Sequence, residues 1–377
     1  MDCMKHTGWM PPDCLPAMSF DGSLESSLAT FLAQEERRAI HRFPLVLMGQ
    51  ELIVSAPPPK PLTSLLDRYG PYLVEEGRMP FGPSLQFKAV LAGRFPEWLD
   101  GLSFAPISTK DALLKIGSFL VIKKVRSGLR YIVNGERRVV WFEEPGVSDW
   151  NSAVNVVNDV LSLAWLEAGF LLFHAGAAAT RGGGVVLIAS SSGSGKTTTL
   201  LRLLGEGFRY VANDRVLVGY AGSSIQAVGF PKLPRVNPGT IFSDPHLRTL
   251  LSHKELEELA SLGQDSLWNL EMKRDVPVQE VYSHGIAKPW GELKGIVFLE
   301  WSRNAKEDLR IEQLGQEELS LFAGKTLKVP VVGTVDRSCP KAFDLALFKN
   351  FNGRVRALQA KGKFAPEQLA SWISSNF

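Results

Sequence analysis

Residues 182–214 read GGGVVLIASSSGSGKTTTLLRLLGEGFRYVAND, and this stretch decides the fold. Val185–Ala189 is apolar throughout and predicts a buried strand, while residues 197–204 have the pattern of a helix. Between them lies a loop, residues 190–195, that is rich in glycine and serine. A strand, a glycine-rich loop and a helix in this order are typical of a phosphate-binding loop, in which backbone N–H groups and the helix dipole face the phosphates.

The loop fits the G-x-x-x-x-G-K-[ST] pattern except at its first position, where Ser190 replaces glycine. In such loops the lysine reaches the β- and γ-phosphates and the next hydroxyl binds Mg²⁺, which assigns these roles to Lys196 and Thr197. The competing interpretation is a glycine-rich turn with a surface lysine. We predict ATP and Mg²⁺ as ligands. The residues predicted to hold them are Ser190, Ser191, Ser192, Gly193, Ser194, Gly195, Lys196, Thr197 and Thr198.

Composition indicates an ordinary globular chain. The 377 residues are 45% hydrophobic and 21% charged, with a formal net charge of +3. This length allows two domains, and the small net charge disfavours nucleic acid as a partner. No stretch approaches the ~18 consecutive apolar residues of a membrane span, and the N-terminus lacks the apolar core of a signal peptide, so we expect no membrane association. The three cysteines, Cys3, Cys14 and Cys339, lack the spacing of a metal or redox motif. These features together predict a cytoplasmic protein.

Residues 1–147 predict a smaller, strand-rich α+β domain. Residues 23–39 have the apolar spacing of a helix, and several candidate strands follow between residues 85 and 143. Asn134-Gly135 is the strongest hairpin signal in the chain. The charges of this region are scattered as on a solvated face, so the predicted chemistry lies in a second domain, residues 148–377.

The residues after the loop helix add polar groups that suit phosphoryl transfer. Residues 208–220 (FRYVANDRVLVGY) predict a pair of strands with Asn213-Asp214 at the turn between them. A carboxylate at the end of a strand suits metal binding or proton abstraction. Residues 226–240 (QAVGFPKLPRVNPGT) are rich in proline and carry Lys232 and Arg235, which face either phosphate or solvent.

Residues 173–218, FHAGAAATRGGGVVLIASSSGSGKTTTLLRLLGEGFRYVANDRVLV, resemble the core of the HPr kinase/phosphorylase family. In that family a strand ending in His-Gly or His-Ala precedes a loop reading G-D-S-G-x-G-K-S, and the next strand ends in Ala-Asp-Asp. Residues 192–196 and 212–214 match at the family's spacing. The resemblance covers residues 165–350 and implies an α/β P-loop kinase core of the HPr kinase C-terminal, PEP carboxykinase-like type.

The resemblance also implies roles for individual residues. Asp214 falls on the catalytic aspartate, which takes the proton from the acceptor hydroxyl, and His174 falls on the active-site histidine. Lys196 falls on the phosphate lysine and Thr197 on the magnesium-binding hydroxyl, with Asp214 as the second candidate metal ligand. Without the resemblance, His174 reads as a strand-end histidine bonded to a backbone carbonyl. The relatives form oligomers, so a homo-oligomer is implied.

The chain differs from the family where acidic residues are expected. Ser190 and Ser191 replace Gly-Asp, Asn213 replaces the first aspartate of the pair, and LPRVNPG replaces the family's Glu-x-Arg-Gly loop. We therefore expect an ATP- and Mg²⁺-dependent kinase that transfers the γ-phosphoryl group to a hydroxyl, with serine favoured, on a protein, peptide or small molecule other than HPr. The alternative is a nucleotide-binding regulatory module without phosphotransfer.

Overall fold

The computed structural model describes residues 22–39, 41–48, 50–56, 69, 79–134, 136, 138–143, 150–191, 193–328, 330 and 354–377. The chain divides into two compact units, Met1–Ala168 with Val329–Pro340 and Gly169–Lys328 with Lys341–Phe377. The three cysteines and Ser192 lie outside the described residues. The domain boundary between residues 147 and 148 stays a prediction.

In the described part of the first unit, eight strands form one mixed sheet accompanied by two long helices. The strand order is β1-β2-β3-β8-β7-β6-β5-β4, in which β3 runs parallel to β2 and β8 and the other neighbours are antiparallel. The strands are β1 (His41–Leu47), β2 (Gln50–Ala56), β3 (Gln86–Leu91), β4 (Ala105–Pro106), β5 (Asp111–Ile116), β6 (Phe119–Lys124), β7 (Arg130–Asn134) and β8 (Val139–Phe142). The helices are α1 (Gly22–Arg38), α2 (Trp150–Glu167) and a 3₁₀ turn at Glu97–Gly101.

Within the described residues, the helix predicted at residues 23–39 and the strands predicted between residues 85 and 143 are present. α1 covers the helix expected at residues 23–39 and buries Leu28 and Leu32 in a core that also contains Trp141. β7, which ends at Asn134, pairs antiparallel with β8, so the hairpin predicted from Asn134-Gly135 forms. The unit is therefore an α+β structure with its own hydrophobic core.

The second unit is also mixed α/β in the part that the structure describes. Its larger sheet has the order β12-β10-β11-β17-β14-β13-β9, with β19 paired to both β17 and β18. The strands are β9 (Leu171–Phe173), β10 (Ala175–Ala179), β11 (Val185–Ala189), β12 (Arg209–Ala212), β13 (Val216–Ala221), β14 (Ser224–Gly229), β15 (Arg235–Val236), β16 (Arg274–Asp275), β17 (Trp290–Ser302), β18 (Arg310–Gln313) and β19 (Arg356–Lys363). The helices are α3 (Lys196–Gly205), α4 (Pro238–Ser243), α5 (His253–Ala260), α6 (Gln264–Asn269), α7 (Val278–Val281), α8 (Gln316–Thr326), α9 (Pro366–Asn376) and a 3₁₀ turn at Leu247–Leu250.

The strand that precedes the loop lies inside this sheet. β11 is buried along its whole length, pairs antiparallel with β10 and runs parallel to β17. Such a position explains its unbroken apolar sequence, because a strand covered on both faces needs no polar alternation. Among the described residues, no helix is both long enough and apolar enough to cross a membrane.

The prediction that the two strands within residues 208–220 pair with each other is wrong. β12 and β13 flank Asn213-Asp214 as expected, but β12 pairs with β10, whereas β13 pairs with β9 and β14. β12 and β13 therefore lie near opposite ends of the strand order. The Asn213-Asp214 turn therefore joins two strands that do not pair with each other but lie close in space, since a Cβ built on Gly229 of β14 would be 2.7 Å from that of Ala212 of β12.

Candidate functional site

The loop between β11 and α3 has the backbone shape that its glycines allow. Gly193 and Gly195 have φ of 82° and 83°, in the left-handed region that favours glycine, and Gly195 is the N-cap of α3. Hydroxyl groups brace the loop, since the side-chain oxygens of Ser191 and Ser194 lie 2.9 Å apart. The Ser190 hydroxyl donates to the Ser191 carbonyl oxygen at 3.2 Å. The loop is thus held by its own polar atoms at the N-terminus of a helix.

Lys196 is buried beneath this loop with only 7% of its surface exposed. Its ammonium group donates to the carbonyl oxygens of Ser190, at 3.0 Å, and Ser191, at 2.6 Å. Burial lowers the pKa of Lys196 to about 8, helped by the charge of Lys328 and opposed by that of Asp214. The lysine is therefore still largely charged at neutral pH, and its partners are neutral acceptors that an anionic phosphate can outcompete.

The first turn of α3 connects the loop to two other elements. The Thr197 hydroxyl donates to the amide oxygen of Asn213 at 3.1 Å, which links the helix to the turn after β12. The buried Thr198 hydroxyl lies 3.2 Å from that of Thr240 on α4. Thr197 thus faces the turn that carries Asp214, while the Thr198 side chain packs against a neighbouring helix.

Asp214 is the centre of a cluster of basic side chains. One of its carboxylate oxygens, Oδ1, lies 3.0 Å from His174 Nδ1 and 3.0 Å from Lys328 Nζ, and the other, Oδ2, lies 3.5 Å from Lys232 Nζ. The backbone carbonyl of Asp214 also accepts from Lys328 at 3.3 Å and lies 3.2 Å from His174 Nδ1. Its φ of 78° is rare for a residue other than glycine, and strained backbone of this kind is common at functional sites.

Charge and burial set the protonation of this cluster. Burial alone would raise the pKa of Asp214, but the hydrogen bond from His174 and the charges of Lys328, Lys232 and Arg215 hold that pKa well below its usual range. Burial lowers the pKa of His174, against the effect of Asp214, so the imidazole is neutral at neutral pH. Because an ionised carboxylate can only accept, His174 Nδ1 carries the proton and Nε2 is left as an acceptor.

The two lysines of the cluster carry lowered pKa values for the same reason as Lys196. Burial lowers the pKa of Lys328 to about 8, with Asp214 acting in the opposite direction. Burial likewise lowers the pKa of Lys232, again opposed by Asp214. An anion that entered beside Asp214 would meet two ammonium groups, those of Lys232 and Lys328, that are paired with a single carboxylate.

Backbone pairing explains how distant segments meet here. His174 follows β9 directly, and its N–H donates to the carbonyl oxygen of Thr326 at the end of α8 at 2.7 Å. The Lys328 N–H donates in turn to the carbonyl oxygen of Leu172 at 2.7 Å, so the chain after α8 runs beside β9. These bonds fix both basic residues on the same side of Asp214.

Of the residues singled out by sequence, the structure brings His174, Lys196, Thr197 and Asp214 into one connected group. Lys232 joins them, whereas Arg235 lies on β15 and pairs with Asp275 at 3.2 Å. Sequence reasoning missed Lys328 altogether. It had no local signal, because it is 114 positions from Asp214 and outside any motif.

Comparison with known proteins adds little to this geometry. No protein-family profile matches the sequence, and no curated protein is significantly similar to it. The solved structures that are similar to this chain include the Hpr(Ser) kinase/phosphatase from Coxiella burnetii, which matches over 54% of this chain and 95% of that chain, with 11% identity and a TM-score of 0.27. This is a distant structural likeness, and it carries neither activity nor substrate to this chain.

Proposed function

We propose that the second unit is an ATP- and Mg²⁺-dependent phosphotransferase that acts on a hydroxyl acceptor. The observation that carries the proposal is the Asp214 carboxylate, held by His174 and Lys328 and joined to the glycine-rich loop through the hydrogen bond from Thr197 to Asn213. Phosphoryl transfer requires a cradle for the phosphates, cations to offset their charge and a group that orients or deprotonates the acceptor.

In this proposal the loop and Lys196 hold the β- and γ-phosphates. The N-terminus of α3, with glycine in the left-handed region on the loop, supplies backbone donors and a positive dipole end. Lys196 exchanges its two carbonyl partners for phosphate oxygens. Lys232 and Lys328 flank Asp214, where the charge of the transferred group develops.

The residues present fit a magnesium ion bound largely through phosphate. The Thr197 hydroxyl and the Asn213 amide oxygen lie 3.1 Å apart, and Asp214 follows with a carboxylate. Within the described residues, no group of three or more His, Cys, Asp or Glu is placed to hold a metal. Mg²⁺ commonly uses only one or two carboxylates together with substrate phosphates. Thr197, Asn213 and Asp214 would therefore hold the ion, which supplies charge neutralisation at the phosphates.

Asp214 acts as the base in this proposal. A carboxylate oxygen takes the proton of the acceptor hydroxyl, the acceptor oxygen forms a bond to the γ-phosphorus, and the bond from that phosphorus to the bridging oxygen of ADP breaks. His174 donates from Nδ1 to Asp214 and so orients the carboxylate, while its Nε2 can accept a hydrogen bond from a donor group of the acceptor other than the reacting hydroxyl.

Asp214→Asn tests the assignment, because asparagine keeps the size and the tolerance of positive φ but cannot take the proton. Transfer from γ-labelled ATP to proteins and small molecules of a cell extract, read by mass spectrometry, should fall about 10²- to 10⁴-fold. ATP affinity measured without Mg²⁺ should not fall, since a negative charge near the phosphates is removed. Glu312→Gln, which breaks an exposed pair with Lys361, is the matched control. Undiminished transfer in Asp214→Asn would refute the assignment of Asp214 as the base.

The alternative function is a nucleotide-binding regulatory module, and one observation favours it. The Asp214 carboxylate is already engaged by His174, Lys328 and Lys232, and its pKa lies well below the range of an efficient base. Tight ATP binding by the wild type without phosphate appearing on any acceptor would favour this module over the kinase.

A further inference from the structure

Three aromatic side chains and one arginine line the side of the glycine-rich loop, and we call them the aromatic wall. Its members are Trp268, Trp301, Phe364 and Arg303. The rings of Trp301 and Phe364 have centroids 5.1 Å apart at an interplanar angle of 67°, and those of Trp268 and Phe364 are 6.1 Å apart at 81°. Edge-to-face packing of this kind fixes the rings relative to one another.

The aromatic wall contacts the loop itself. The indole N–H of Trp301 donates to the carbonyl oxygen of Ser194 at 2.8 Å. A Cβ atom built on Gly195 would lie 2.6 Å from Cε2 of Phe364, so glycine is what allows the ring to approach. These contacts involve Ser194 and Gly195, whereas the Asp214 cluster is reached through Thr197.

The outer layer of the wall remains accessible to solvent. Arg303 is exposed and places its guanidinium carbon 3.9 Å from the ring centroid of Trp268 and 5.2 Å from that of Phe364. Trp268 and Phe364 are themselves partly exposed, whereas Trp301 is buried. An exposed guanidinium plane layered on an aromatic ring is a surface on which nucleobases stack.

We infer that the aromatic wall binds the base of the nucleotide whose phosphates the loop holds, with the base stacked on the guanidinium of Arg303, which the Trp268 ring supports from the other side. This inference rests on the proposed function, since it needs phosphates in the loop. The base is tethered to those phosphates through the ribose, so its partner must adjoin the loop, and the wall does so through Ser194 and Gly195. Stacking uses the π-face that every base has, so this contact does not by itself select one base.

The test separates binding of the base from binding of the phosphates. Affinities for ATP and for inorganic tripolyphosphate, which has no base, are measured by calorimetry for the wild type, Arg303→Ala and Trp268→Leu. Loss of stacking should weaken ATP binding by about 5- to 100-fold and leave tripolyphosphate binding unchanged. Arg303 is exposed, so its replacement keeps the test valid even if Trp268→Leu lowers stability.

Arg356→Ala is the matched control, because Arg356 stacks on Trp372 and Phe377 in the same unit at 5.6 and 4.8 Å and does not contact the loop residues named above. It should bind both ligands as the wild type does. Unchanged ATP affinity in both wall variants would overturn the inference about the base but not the proposed function. An equal loss of ATP and tripolyphosphate binding would do the same. A wild type that binds neither ligand overturns the proposed function as well.

Discussion

Nucleotide binding should weaken as the pH rises through about 8, because the lysine beneath the loop loses its proton there. Lys196 has a pKa of about 8 without ligand, and contact with phosphate favours its charged form, so the bound lysine has the higher pKa. Binding therefore takes up a proton above pH 8. A group with this pKa is about nine-tenths charged at pH 7 and about one-tenth charged at pH 9, which lowers the affinity about tenfold, or ~1.4 kcal/mol.

Calorimetry from pH 6.5 to 9, in buffers of different ionisation enthalpy, measures both the affinity and the protons taken up. The terminal phosphate titrates near pH 6, so it does not mimic the effect. Two variants should move the midpoint in opposite directions. Lys328→Met should raise it, because the charge of Lys328 lowers the pKa of Lys196, and Asp214→Asn should lower it.

Controls decide whether Lys196 is the group responsible. Lys196→Met should bind weakly and show a shallower pH profile, while Lys325→Met, which removes an exposed lysine paired with Glu300, should keep the wild-type profile. A wild-type affinity that is constant from pH 7 to 9, or a tenfold fall that persists in Lys196→Met, would refute the reasoning.

Three further predictions concern stability and the loop. Arg202→Met should lower the free energy of unfolding in urea by about 3–5 kcal/mol, because the buried Asp244 carboxylate, whose side chain is 2% exposed, loses its ion pair with Arg202 at 2.8 Å. Glu367→Gln changes the exposed partner of Arg202 and should alter this free energy by less than about 1 kcal/mol. Gly195→Ala should abolish ATP binding and cost about 1–3 kcal/mol in thermal denaturation, because a φ of 83° strains alanine and its Cβ meets the neighbouring ring; wild-type affinity would contradict this. The pKa of Lys196 is lower in the folded state than in the unfolded state, so unfolding takes up a proton between these two values. The wild type should therefore gain about 3 kcal/mol of stability relative to Lys196→Met as the pH rises from 8 to 10.4. Parallel curves of unfolding free energy against pH for the two proteins would contradict this.

The sequence predicted the loop well because everything that shapes it is local. Five apolar residues form β11, glycines stand where the backbone needs positive φ, and the helix begins at the lysine. None of these features depends on which other strands lie nearby. The loop, its strand and its helix were therefore present at the predicted positions.

What the sequence could not predict depends on pairing between distant segments. Residues 209–212 and 216–221 have strand character whichever partners they take, and Asn-Asp suits many turns, so the pattern favoured a hairpin that does not form. Lys328 reaches Asp214 only because the chain after α8 pairs with β9. Sheet order therefore decides which charges meet at the site.

The surroundings of Asp214 bear on how a carboxylate of such low pKa could act as a base. Its basicity is suppressed by the hydrogen bond from His174 and by the charges of Lys328 and Lys232. Under the proposed function, incoming phosphates attract these lysines and place negative charge near the carboxylate, which raises the pKa of Asp214, whereas the Mg²⁺ that accompanies the phosphates lowers it. Because these effects oppose each other, Asp214 would act as a base through its position beside the acceptor hydroxyl more than through a raised pKa. Without nucleotide, the same carboxylate keeps the ammonium groups of Lys232 and Lys328 together.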